Sequence, residues 1–241
     1  MLRLLPSWSV FEVLTTRMDL SGQAGMIVSL IAVLLCAAVG YLLGSLNSAI
    51  IISRLFFRRD IRQQGSGNAG TTNMLRTYGT KYAVMTLVFD MLKGALATLL
   101  GWLLYAWVGA PIAGFFCVLG HMFPLFYRFR GGKGVATTGM IALMLDPWTF
   151  LLMLVCFVAI VAMTRYVSLA SIMCAFLYPI FLRAFLPSAG MVQMMGILTT
   201  VFVVYMHREN IKRLYERKES KISFSRKPKD NDAGKTDGGA A

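Results

Sequence analysis

The chain reads as an all-α, polytopic integral membrane protein of about seven transmembrane helices, with its N-terminus outside and its C-terminus in the cytoplasm. Three observations predict this fold class. Hydrophobic residues make up 57% of the 241 residues and mean hydropathy is +0.64, above the roughly half-apolar composition of soluble domains. Long apolar runs alternate with short polar connections. The formal net charge of +13 is concentrated in a few connections and the C-terminal tail, as basic residues are when they face a cytoplasm and its anionic leaflet. No nucleic-acid partner is expected from that charge.

Residues 1–25 mix Arg3, Arg17, Glu12 and Asp19 with apolar residues and lack the uncharged core of a signal peptide, which predicts an amphipathic or disordered leader. Residues 26–57 are nearly all apolar. As a helix they would extend about 48 Å, beyond a hydrocarbon core of about 30 Å, so this segment must tilt or protrude. Gly40, Gly44 and Ser48 recur every four residues and predict a ridge for close helix packing. Residues 58–80 are polar and basic, with room for a short interfacial helix around 69–77. The span 81–107 is broken by Asp90 and Lys93, three apart on one helical face and able to pair, although ionisable groups inside a membrane are also functional candidates. A tight Gly109-Ala110-Pro111 connection leads to a span over 112–127. Residues 135–145 would give only about 17 Å of helix, short for a crossing. Spans over 148–163, 169–186 and 191–206 follow, and the tail over 222–241 has so little to bury that disorder is expected. Residues 26–221 are thus the membrane-embedded body.

Charge supplies the span count. If 135–145 crosses, the segments 58–81, 128–133, Arg165 and the chain from His207 all fall on one side. The connections around Gly109, Asp146 and Pro187 are then nearly free of lysine and arginine, apart from Arg183. Cys36, Cys117, Cys156 and Cys174 lie in apolar runs without CxxC spacing, which predicts neither disulfide nor zinc, and nothing calls for a cofactor.

The stretch FRGGKGVATTG, residues 129–139, interrupts this pattern. Gly131, Gly132 and Gly134 allow close backbone approach, the following helix opens with unpaired N–H groups, and Lys133 adds positive charge, a combination suited to phosphate. It also reads as a glycine-rich turn between two membrane helices. It is not a Walker A loop, because Gly134 follows Lys133 and no strand precedes it. The topology gathers four polar clusters on the same face: Ser45 with GSGNAGTTN, the GGKG loop, Arg165–Ser168, and His207 with Asn210. Arg62, Lys133 and a protonatable His207 provide cationic donors, and Ser66, Asn68, Thr72, Asn73, Ser168 and Asn210 neutral ones, with Gly67 in the same loop. His121, in GHMFP, reads as structural.

In order, GS-x-N-S, DIRQQGSGNAGTTNMLR, GHMFPLFYRFRGGKGVAT, RYVSLAS and HRENIKRL resemble the motifs of the bacterial PlsY family of glycerol-3-phosphate acyltransferases. The likeness runs from about Gly44 to Lys221. It implies a seven-helix inner-membrane enzyme, active on the cytoplasmic side, that moves a fatty acyl group from acyl phosphate to sn-glycerol 3-phosphate and yields lysophosphatidic acid and phosphate. Its partners would be those two substrates, the lipid bilayer and the enzyme that supplies acyl phosphate. Ser45 and Arg62 match the first motif, Gly131, Gly132, Lys133 and Gly134 the glycerol-phosphate loop, and His207, Asn210 and a supporting Glu219 the last. Ser45, His207 and Asn210 are thereby implied in catalysis, His207 or the substrate phosphate being the base. Asn47 stands where many members have proline, and Arg217 where many have glycine. The alternative is a membrane transporter of organic phosphates, which would also place glycines and basic residues on helices; a polar cluster on one face only and the lack of an inverted repeat oppose it.

Overall fold

The computed structural model describes residues 9–19 and 21–222, which form helices and short connections with no strand among them. Part of the anticipated leader is helical. In α1 (Val10–Arg17) the Ser9 hydroxyl accepts from the Glu12 N–H and the Glu12 carboxylate accepts from the Ser9 N–H, a reciprocal cap, and Phe11 packs 4.1 Å from the ring of Tyr105. The tail expected to be disordered lies outside the described residues from 223 onward.

The long first apolar segment is two helices, α2 (Gly22–Ser45) and α3 (Ser48–Phe57). Asn47 divides them: its side-chain oxygen accepts from the Ile50 N–H at 3.1 Å, the capping bond that starts a new helix. The Gly40–Gly44 ridge packs as expected. Any Cβ at Gly40 would run into the Ala113 carbonyl, and one at Gly44 into that of Cys117. The third member of the ridge, Ser48, instead donates to Asp90 Oδ1 at 2.7 Å.

After the polar connection and α4 (Thr71–Tyr78), α5 (Thr80–Met122) is helical except at Tyr105 (φ −144°, ψ 40°) and Ala106 (φ 42°, ψ −131°). There the chain doubles back. Cys117 Sγ lies 3.7 Å from the Lys93 carbonyl, and a Cβ on Gly101 would meet Gly109, so the arms 80–104 and 107–122 pack antiparallel. The reversal therefore falls earlier than the expected Gly109-Ala110-Pro111 connection. Those three residues lie in the opening turns of the second arm. Being central, α5 is largely buried, whereas α7 (Pro147–Thr164) is mostly exposed.

Between them sits α6 (Val135–Leu145), entered through Gly134 at φ 77°. Asp146 then caps α7, its Oδ2 accepting from both the N–H and the hydroxyl of Thr149 at 2.9 Å. The chain continues through α8 (Val167–Phe185), α9 (Gly190–Met206) and α10 (Arg208–Tyr215), the last two bent by 55°. Val118, Ile141, Leu145, Tyr178, Leu182 and Val203 lie in the main core, joining α5, α6, α8 and α9. Leu30, Leu34, Val88, Leu92, Val155 and Ile197 remain exposed, as side chains facing lipid tails do. Among the described residues, four helical stretches are long and apolar enough to cross a membrane: Gly22–Phe57, Thr80–Tyr127, Pro147–Thr164 and Val167–Phe185. Counted as one span, the bent pair α9–α10 makes a fifth.

Candidate active site

Two cationic clusters flank the glycine–lysine loop, and Glu219 organises the first. Its Oε1 accepts from Ser168 Oγ at 2.8 Å and Asn210 Nδ2 at 2.7 Å, and its Oε2 accepts from Arg213 Nε at 2.7 Å. Burial disfavours this carboxylate, but the three hydrogen bonds outweigh it and hold its pKa below the ordinary value. With its amide N–H fixed on Glu219, Asn210 turns its Oδ1 to accept from Lys133 Nζ. Burial pushes the Lys133 ammonium down to about 8, Glu219 opposing and Arg213 and Arg76 reinforcing the shift. Glu219 is itself paired with Arg213, so Lys133 has a neutral hydrogen-bond partner and no carboxylate of its own.

His207 stands at the junction of α9 and α10, only 2% exposed. Its Nδ1 lies 2.7 Å from the Val203 carbonyl, which can only accept, so Nδ1 carries the proton and Nε2 keeps its lone pair. Burial first, and the Lys133 charge second, press its pKa down to about 4. The imidazole is therefore neutral at pH 7: a hydrogen-bond acceptor of low basicity. Two further bonds draw the segment after α10 across the site, from Ile222 N to the Arg165 carbonyl (2.9 Å) and from Arg76 to the Ser220 carbonyl (3.2 Å).

Arg62 dominates the second cluster. Its Nε and one terminal nitrogen grip Asp60 at 3.0 and 2.8 Å, while the other terminal nitrogen donates to the Tyr127 and Arg130 carbonyls at 2.7 and 3.0 Å. That hydrogen bonding holds the Asp60 carboxyl well below the usual range. Expected as a substrate donor, Arg62 thus braces the segment entering the glycine loop. Beside it an open cleft of about 380 Å³ is lined by Arg128, Arg130, Gln63, Gly67 and Gly131. Arg128 and Arg130, which in the sequence mark only a basic connection, are exposed there.

Several other anticipated donors are also committed to the protein. Asn73 is 1% exposed; its Nδ2 donates to the Ile61, Gln64 and Asn68 carbonyls and its Oδ1 accepts from the Ser66 N–H, so it staples the GSGN loop from inside. Ser66 and Gly67 are exposed on that loop, and Asn68 and Thr72 are half-buried. Ser45 is fully buried, donating to the Tyr41 carbonyl at 2.8 Å and accepting from the Leu125 N–H at 3.2 Å. The glycines of the lysine loop are tightly packed. Gly131 and Gly132 give their N–H groups to the Met122 and His121 carbonyls at 3.0 and 3.1 Å, and a Cβ on Gly132 would strike the His121 ring and the Ala69 carbonyl. Only past Gly134 does the loop open onto free helical N–H groups.

Residues 34–217 match the model of the family described as glycerol-3-phosphate acyltransferase. The chain belongs to that family. It is 40% identical over 195 residues to the glycerol-3-phosphate acyltransferase of Bacillus subtilis, covering 81% of this chain and 99% of the relative. The enzyme of the same description from Finegoldia magna is 39% identical over 184 residues, covering 76% and 93%. Two solved structures of PlsY, an integral membrane glycerol 3-phosphate acyltransferase, resemble it: the glycerol 3-phosphate form with TM-score 0.74 and 36% identity, and the lysophosphatidic acid form with 0.72 and 34%. Each covers 79% of this chain and at least 95% of the other.

Both departures of this acyltransferase from its family's pattern have local explanations. Asn47 has φ −81°, near the value proline fixes, and it caps α3 with its side chain where proline would cap nothing. Arg217 has φ 55°, a left-handed conformation that glycine adopts freely and arginine does not.

Proposed function

We propose that the protein transfers a fatty acyl group from acyl phosphate to the 1-hydroxyl of sn-glycerol 3-phosphate, releasing lysophosphatidic acid and inorganic phosphate. The observation that carries this reading is Lys133: a half-buried cation without a carboxylate of its own, held by Asn210 in a cluster with a neutral His207. Such a cation is completed by a phosphate dianion. Glycerol 3-phosphate bound there brings its hydroxyl towards His207, whose Nε2 accepts the hydroxyl hydrogen and aligns the oxygen lone pair on the acyl carbonyl carbon. A mixed anhydride needs alignment and oxyanion donors and no covalent enzyme intermediate. The new C–O bond forms as the acyl–phosphate bond breaks, the leaving phosphate keeping that electron pair. With so weakly basic a histidine, the proton passes to a phosphate oxygen. The cleft of Arg128 and Arg130 offers a second cationic surface for the other head group, and the acyl chain lies among the apolar helices. Ser45, Ser168, Arg62 and Asn73 act by holding the loops that carry these groups.

We further place the chain in a bacterial inner membrane with seven crossings, the N-terminus outside and the site cytoplasmic. Support comes from the two antiparallel arms of α5 and from the basic connections sharing one end once α6 is counted. A cysteine introduced at Thr77 should resist impermeant external reagent while one at Ser188 reacts; the reverse pattern would invert the orientation. For the reaction, purified protein in detergent should release phosphate from acyl phosphate only when glycerol 3-phosphate is present, with lysophosphatidic acid formed in equal amount. Release independent of glycerol 3-phosphate would sink the assignment.

A further inference from the structure

A second polar network, buried among the membrane helices, lies directly beneath the glycine–lysine loop. Lys93 Nζ, on the first arm of α5, is 2.9 Å from Asp90 Oδ1 and 2.8 Å from His121 Nδ1 on the second arm, and it donates to the Gly44 and Leu46 carbonyls at 3.2 and 3.1 Å. Asp90, Lys93 and His121 are all at most 6% exposed. His121 Nδ1 also lies 3.4 Å from Asp90 Oδ1, so this one nitrogen faces both members of a charge-balanced Asp90–Lys93 pair.

We infer that Asp90, Lys93 and His121 are positioning residues that set where the Lys133 loop stands relative to the break between α2 and α3. The contacts run both ways from the network. Towards α2, Lys93 satisfies two carbonyls that the break at Leu46 leaves without helical partners, and Asp90 accepts from Ser48 in the first turn of α3. Towards the loop, the His121 ring edge abuts Gly132, its carbonyl accepts the Gly132 N–H, and Thr137 in the first turn of α6 donates to the Asp90 carbonyl at 3.3 Å. One cluster therefore ties the helix break on one side to both ends of the loop on the other. Stability alone does not account for it, because a buried ion pair replaced by apolar residues of similar volume costs little or nothing. What apolar residues cannot supply is the directed contact with two broken backbone segments.

The inference rests on the assignment of Lys133 to glycerol 3-phosphate, and the test separates the two. In full-length protein in detergent, the charge-neutral variant Asp90→Asn/Lys93→Met should raise KM for glycerol 3-phosphate about tenfold while turnover at saturation stays within a few-fold. Hydrogen exchange over residues 129–137 should accelerate in the same protein. Unchanged KM and unchanged exchange, whatever happens to the melting temperature, would reduce the network to a structural role and overturn the inference. Should the double variant not fold, His121→Ala against His121→Gln decides: the glutamine oxygen still accepts from Lys93, so Gln should restore KM and loop protection that Ala loses. Equal behaviour of the two overturns it. Lys133→Ala is run alongside. If it leaves KM unchanged, the phosphate assignment fails, and the exchange data still judge the network.

Discussion

Lys133 and Arg62 are both cations beside the glycine loop, and the difference between them is in what each is bonded to. Arg62 forks onto Asp60, a carboxylate that Arg54 shares at 2.8 Å, and onto two backbone carbonyls, so its donors are largely engaged. Lys133 is held by the oxygen of a neutral amide, while the carboxylate near it is engaged by Arg213, Asn210 and Ser168. A guanidinium whose donors are saturated shapes a loop; an ammonium held only by a neutral amide oxygen waits for an anion. Cationic residue type, which is all the chain order displays, does not distinguish these states.

The comparison is sharpened most by the Lys133 cluster itself. His207→Ala should lower turnover about 10²-fold or more with the protein still folded, because the hydroxyl loses its aligning acceptor. Arg62→Ala should instead act through structure, lowering stability by about 1–3 kcal/mol as the Tyr127 and Arg130 carbonyls lose their donor. Thermal melting alongside turnover separates the two; a fully stable Arg62→Ala protein without activity would break the contrast.

Charge-conserving exchanges come next. Lys133→Arg should retain glycerol 3-phosphate binding within about tenfold, since a lone ammonium acts as a point charge, whereas Arg62→Lys should not rescue Arg62→Ala, because lysine cannot reproduce the fork. Apparent KM values for the four proteins decide this.

The effect of pH is smaller. Lys133 must be protonated to hold phosphate, and with its pKa lowered to about 8, binding is complete below that value and is lost as pH rises through it. The alkaline fall of kcat/KM should therefore begin near pH 8 in the wild type and move upward in Lys133→Arg. His207, with a pKa of about 4, gives its acid limb there and none near 6.5. A limb at 6.5 that disappears in His207→Gln would show a histidine far more basic than its burial allows.

The smallest change lies in the turn beyond α10. Arg217→Gly relieves the left-handed strain at φ 55° and should gain about 0.5–1 kcal/mol, read as a raised melting temperature with unaltered KM.

Much of the fold was legible in the chain order. Apolar runs marked the helices, Asp146-Pro147 marked the boundary between α6 and α7, and Asp90 and Lys93 were seen as an i,i+3 pair that forms at 2.9 Å. Two boundaries were missed. The break at Asn47 was hidden because asparagine in an apolar run alters hydropathy little while capping a helix decisively. The reversal at Tyr105 and Ala106 was placed several residues late because Gly and Pro are the usual punctuation of a turn, and here they fall inside the following arm.

By itself, then, the sequence determined an all-helical membrane chain, a family, and the set of polar residues that meet at one end. These follow from local composition and from motif order. Which of those residues remain available to a ligand was decided only by tertiary contacts. Arg62 is engaged by carbonyls 65 and 68 residues away, Ser45 by an amide 80 residues away, and Lys133 is turned to Asn210 across 77. A hydrogen bond saturates its donor whichever part of the chain the acceptor comes from, and the folded arrangement alone determines which acceptors arrive.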